Sequence, residues 1–83
     1  MRKLQFVPNL NGFTKILLDD VELKTRIDPY MIRDFKLHTG YQYNVEYGYH
    51  IIQSTMKKIA DEVFLDQDEV AFTIKYLRKE LGL

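Results

Sequence analysis

The chain has 83 residues, no cysteine, and twelve basic residues against twelve acidic ones. That length makes one domain, residues 1–83, with a core worth only about 3–5 kcal/mol of net stability, and excludes a disulfide framework or a thiolate metal site. A hydrophobic content of 46% excludes wholesale disorder, and no apolar run approaches the ~18 residues of a membrane span, so a cytoplasmic, reducing setting is the expectation.

Leu4, Phe6 and Val7 predict a short edge strand that Pro8 stops, because proline cannot donate to a ladder. Asn9-Leu10-Asn11-Gly12 is turn chemistry. Phe13 to Leu18 is β-branched and apolar, Asp19-Asp20 makes a second turn, and residues 21–27 alternate apolar with polar. Together these predict a hairpin with Val21, Leu23 and Ile27 near the buried side, interrupted at Thr25.

Residues 29–38 carry two signals. Asp28 before Pro29 is a helix N-cap followed by the residue best suited to the first helical position. Yet Met31, Arg33, Phe35 and Leu37 alternate with Ile32, Asp34, Lys36 and His38, and that alternation favours a further strand. Thr39-Gly40 ends the element in either case. Tyr41 to Gln53 is also double. Tyr41, Tyr43, Val45, Tyr47, Tyr49 and Ile51 alternate like a strand, whereas Val45, Tyr49, Ile52, Met56, Ile59 and Val63 recur with the period of one helical face. The helical series is longer, so one long helix from about Val45 is predicted, covering the sheet with Val45, Tyr49, Ile52 and Met56. Asp66, with Glu69 three residues on, forms a capping-box pattern for a last helix that runs to about Leu81 and stops at Gly82. Ile59, Val63, Val70, Ile74 and Leu77 are the predicted core of this half. The fold class is therefore α+β: an antiparallel β-meander in the first 40 residues, then a helical part over 41–83.

Ile59-Ala60, Val63-Phe64-Leu65, Val70, Ile74 and Leu77 are spaced as in a helix-turn-helix, and the chain closes on Leu81-Gly82-Leu83. Over residues 55–83 this resembles the C-terminal helix-turn-helix of LuxR/GerE-type transcription regulators. The resemblance implies a DNA-binding regulator, as a homodimer, with Gln67 and Ala71 in the major groove and Lys57, Lys58, Lys75 and Arg78 on phosphates. Two features oppose it. Asp68 and Glu69 open the second helix where phosphates would lie. Residues 1–53 hold seven basic and six acidic residues and residues 54–83 hold five and six, so neither part is a polycation.

Four tyrosines fall within nine residues, Tyr41, Tyr43, Tyr47 and Tyr49. Tyrosine is a preferred interface anchor, so Tyr41, Tyr43 and Tyr47, with Phe72, are the candidate partner-binding residues. His38 and His50 lack companions at metal-ligand spacing, the Asp pairs at 19–20 and 66–69 suit turns and caps, and no nucleophile, phosphate loop or cofactor motif is present. The sequence thus points to a non-enzymatic protein that modulates a protein partner. The small size, neutral charge and tyrosine-rich segment favour a compact modulator of the kind that phages and mobile elements encode to block a host protein. DNA regulation is the second reading.

Overall fold

A computed structural model describes residues 2–9, 12–37 and 43–83. Strands β1 (Leu4–Pro8), β2 (Thr14–Leu18) and β3 (Val21–Ile27) form an antiparallel sheet in the order β1-β2-β3. Helices α1 (Pro29–Leu37), α2 (Tyr43–Glu62) and α3 (Gln67–Leu81) follow. The fold is α+β, a meander ahead of a helical half.

The meander is built by its turns. Asp19 and Asp20 both take left-handed backbone angles, φ 50° and 65°, as a two-residue hairpin with right-twisted strands requires. The Lys3 amide donates to Asp19 Oδ1 at 2.9 Å, and the Asp19 amide returns a bond to the Lys3 carbonyl at 2.8 Å. At the other turn Gly12 sits at φ 94°, with its amide on the Asn9 carbonyl; Leu10 and Asn11 lie outside the described residues. Leu4 pairs with Leu18 and Phe6 with Ile16, so these four side chains share one face of the sheet. Leu23 and Ile27 extend that face. Val21, expected beside them, is 64% exposed at the start of β3.

Residues 29–37 are a helix, which corrects the strand expected there. The Asp28 carboxylate accepts from the Tyr30 amide at 2.8 Å, so the cap signal at Asp28-Pro29 decides the element. Met31, Ile32 and Phe35 then share one helical face against the core, with Phe35 only 2% exposed.

The two long helices exist as predicted but are rotated. In α2 the buried positions are Gly48, Ile51, Ile52, Thr55 and Ile59. Val45 and Tyr49, expected to cover the sheet, are 49% and 45% exposed. In α3 the buried stripe is Glu69, Thr73, Leu77 and Leu81, while Val70 and Ile74 are half-buried. Ile52, Ile59 and Leu77 are buried as expected, and each buried face is turned from the most apolar one by roughly half a residue's step, about 50–60° of helix. Polar residues occupy core positions because their needs are met. The Thr73 hydroxyl donates to the Glu69 carbonyl at 2.8 Å, and no buried side-chain polar atom among the described residues lacks a partner. Gly48 lets the helix ends approach: a Cβ there would stand 2.6 Å from Leu83 Cδ1 and 3.3 Å from the Phe35 ring.

Both ends of α3 are closed as the sequence indicates. Asp66 accepts from the Glu69 amide at 2.8 Å and Glu69 accepts from the Asp66 amide at 2.9 Å, completing the capping box. Gly82 takes the left-handed angle that ends the helix, φ 76°.

Two longer-range contacts tie the layers together. Arg2 holds Glu69 in a forked pair, Nε to Oε2 at 3.0 Å and Nη2 to Oε1 at 2.8 Å, and Nη2 also donates to the Phe64 carbonyl. The Glu69 side chain is fully buried. The guanidinium of Arg2, with the Asp66 amide, holds its carboxyl down at about 2, against burial pushing the other way. At the far end of the meander, the β2–β3 register shifts by two residues between Lys15 and Leu17. There the Lys24 and Thr25 amides both turn to the Glu62 carboxylate, at 2.6 and 2.9 Å, and the Thr25 hydroxyl joins them at 2.9 Å. Successive amides in a regular strand point opposite ways, so the irregularity is what lets one carboxylate take both. These bonds lower the Glu62 pKa, the Lys24 amide contributing most. Glu62→Ala should cost about 1–2 kcal/mol, limited because water reaches the freed amides. A urea midpoint equal to wild type would show that water replaces the carboxylate fully.

Candidate functional site

The rotation of α2 and α3 leaves a second apolar stripe on each helix, and the two stripes face one another across an open groove. On α2 it consists of Met56 and Ala60, rising from the buried Ile52, and on α3 of Val70 and Ile74. With Gln53 and Lys57 on its edge, this part holds ≈ 430 Å³. Ile74 also lines a second hollow of ≈ 690 Å³, with Ala71, Leu83 and the cations Lys75, Arg78 and Lys79. The shared Ile74 joins the two into one surface running along α3. Its floor is aliphatic. Its edge carries four cations, and no acidic side chain among the described residues lines either part.

The formation of this surface follows from helix geometry. Ala71, Ile74, Lys75 and Arg78 recur at three and four residues, so they occupy one side of α3. The opposite sides are taken: Thr73 and Leu77 face the core, and Phe72 and Tyr76 stack on Phe6 of β1, at 5.7 and 4.1 Å between ring centres. Burial raises the Tyr76 hydroxyl pKa. Lys57 pairs with Asp61 one turn on, at 3.3 Å, whereas Lys75, Arg78 and Lys79 form no ion pair among the described residues.

The residues singled out from sequence fall in several places. Tyr41 and His38 lie outside the described residues, and of Tyr43 only the backbone, which opens α2, is described. Tyr47 is 46% exposed and stacks on Phe35 of α1 at 6.1 Å, while Phe72 is 40% exposed over β1, so these two belong to different layers. Phe64, at the corner after α2, is 82% exposed, more than any other large apolar residue described. Gln67, Ala71, Lys75 and Arg78 are exposed and share the outward side of α3. Lys57 and Lys58 part company: Lys57 edges the groove, and Lys58 lines a separate hollow with Lys24, Thr25, Asp61 and Glu62. Glu69, expected to oppose phosphates, points inward to Arg2 instead, which leaves Asp68 as the exposed acid at that helix start. Met56, Val70, Ile74, Lys79 and Leu83 were not legible as a site. The available signal was a surplus: α2 and α3 carry more apolar residues than one buried face can use.

No group of three or more histidine, cysteine, aspartate or glutamate residues that could hold a metal occurs among the described residues. No helix among them is long and apolar enough to cross a membrane. Compared with protein-family models, curated proteins and solved structures, the chain matches none.

Proposed function

We propose that this chain is a small non-enzymatic binding protein that modulates a protein partner through the α2–α3 groove. The observation that supports this is the aliphatic floor of half-buried Met56, Val70 and Ile74, which opens to the groove beside the core residue Ile52. A contiguous apolar surface of this kind is a contact site or a solubility cost. Exposed Phe64 and Tyr49 are aromatic side chains of the type that dominates interface energetics. An inhibitor directed by a phage or mobile element at a host protein is the form of this reading that the small size and neutral charge suit. The test uses tagged wild type and Met56→Asp as baits in cells of the native source. Wild type should retain a partner at ~1 M salt, where the Debye length is only about 3 Å, and the variant should lose it. Equal retention by both baits would remove the groove from the reading.

A second reading, DNA binding through the helix-turn-helix, is supported by Gln67, Ala71, Lys75 and Arg78 sharing one exposed side of α3 and by Glu69 turning inward. If it holds, binding to a mixed-sequence duplex should weaken steeply with salt. Each of Lys75→Ala and Arg78→Ala should lower the slope of log K against log salt by about one. A slope unchanged in both variants would dispose of this mode.

A further inference from the structure

We infer that the α2–α3 groove takes an acidic amphipathic helix of the partner protein, an inference that rests on the protein-binding reading above. Three observations carry it. The floor, Met56, Val70 and Ile74, is aliphatic and offers nothing to a phosphate backbone but suits the apolar side of a helix. Among the described residues the edge is of one sign. Lys75, Arg78 and Lys79 line the larger part, and in a chain of net charge zero this gathers positive charge on one side of α3. Glu80, the acidic residue next to them, is half-buried and lies one turn from Tyr76, on the side of α3 that stacks on β1. The dimensions also agree. Ala71 to Lys79 spans roughly 12 Å at 1.5 Å per residue, just over two turns of a docked helix. A partner with apolar residues at i, i+3 or i+4, and i+7 meets the floor along that length, and glutamates flanking them meet the three cations. Charge on the edge selects the partner and orients it; the apolar contact holds it.

The test uses three synthetic peptides of equal length. One has leucines at helical spacing with glutamates elsewhere, the second replaces every glutamate with lysine, and the third scrambles the first. The readout is the methyl resonances of Met56 and Ile74 in the full chain, together with the affinity. The glutamate peptide should shift both methyls and bind about tenfold more tightly than the lysine peptide, the effect expected of three partly exposed ion pairs. The scrambled peptide should shift neither. In the triple variant Lys75→Glu, Arg78→Glu, Lys79→Glu, whose changes lie on an exposed helix side and whose fold is checked by circular dichroism, the order of the two peptides should reverse. Equal binding of the glutamate and lysine peptides at these methyls overturns the acidic partner while leaving the protein-binding groove standing. Failure of every peptide to move Met56 and Ile74 overturns both. If the same methyls broaden with protein concentration alone, the occupant is a second copy of this chain; if a DNA duplex moves them, it is nucleic acid. Either outcome overturns the inference.

Discussion

Replacing Leu77 with alanine will lower the unfolding free energy by about 2–5 kcal/mol, a large share of what a domain this small possesses. Leu77 is 1% exposed and lies in the cluster with Ile16, Ile27 and Ile59. Removing its isobutyl group loses the transfer free energy and leaves a cavity between sheet and helices that the neighbours fill only in part. Ile74→Ala, one turn away, will cost less than half as much. Ile74 is only half-buried and opens on the groove, so the space left joins solvent. The pair of urea denaturation curves distinguishes the two helical faces directly. Equal losses would mean that α3 sits with Ile74 in the core after all, and the groove would cease to exist.

Acid will destabilise the protein between pH 4.5 and about 2, and Glu69 will account for much of that fall. Its folded carboxyl titrates at about 2 against an ordinary value of 4.5, because the Arg2 guanidinium and the Asp66 amide bind the charged form. A lowered folded pKa means that the unfolded chain binds the proton first. The stability from Glu69 is therefore complete above pH 4.5, declines as pH falls, and is gone once pH passes the folded value. Glu69→Gln will be less stable at neutral pH and will decline less steeply below pH 4.5. Some slope will remain, since Glu62 is lowered in the same direction by the Lys24 and Thr25 amides. Arg2→Met will do more harm than Glu69→Gln. It leaves a fully buried carboxylate without its guanidinium, whereas glutamine is neutral and can still accept from the Asp66 amide. Denaturant midpoints for the three proteins across this pH range make the comparison. Parallel curves for wild type and Glu69→Gln would show that the pair is not what acid disrupts.

Local chemistry was readable along the chain, and longer-range choices were not. Asp19-Asp20, Gly12, the Asp66–Glu69 box and Gly82 each act on a backbone within a few residues, and each stands where the sequence indicates. At residues 29–37 two local signals competed. Alternation of Met31, Arg33, Phe35 and Leu37 pointed to a strand, but a helix also places Met31, Ile32 and Phe35 on one side, and Asp28 tipped the balance. The rotation of α2 and α3 escaped because apolar patterning assumes that the most apolar side is the buried one. Here the buried stripes include Thr55, Glu69 and Thr73, whose polar atoms are satisfied by partners that a pattern of hydrophobicity does not register. Arg2 is one of those partners, 67 positions from Glu69, and nothing local to either residue announces the other. The groove inherited that blindness: Met56, Val70 and Ile74 were assigned to a core that had already been filled. Its basic edge was nearer to legibility, since Lys57, Lys75 and Arg78 were named as an anion-binding set, with phosphates as their expected partners.

The carboxylate of Glu62 also bears on how the protein behaves in a crowd of its own copies. β3 is an outer strand, and an outer strand with free amides is a template on which another chain can lay a strand of its own. In this sheet the Lys24 and Thr25 amides are already occupied from α2, and the shifted register breaks the regular spacing that an incoming strand would need. Glu62 therefore acts as a stopper on sheet growth, and its negative charge repels a second copy presenting the same edge. The protection weakens in acid as that carboxylate takes up a proton.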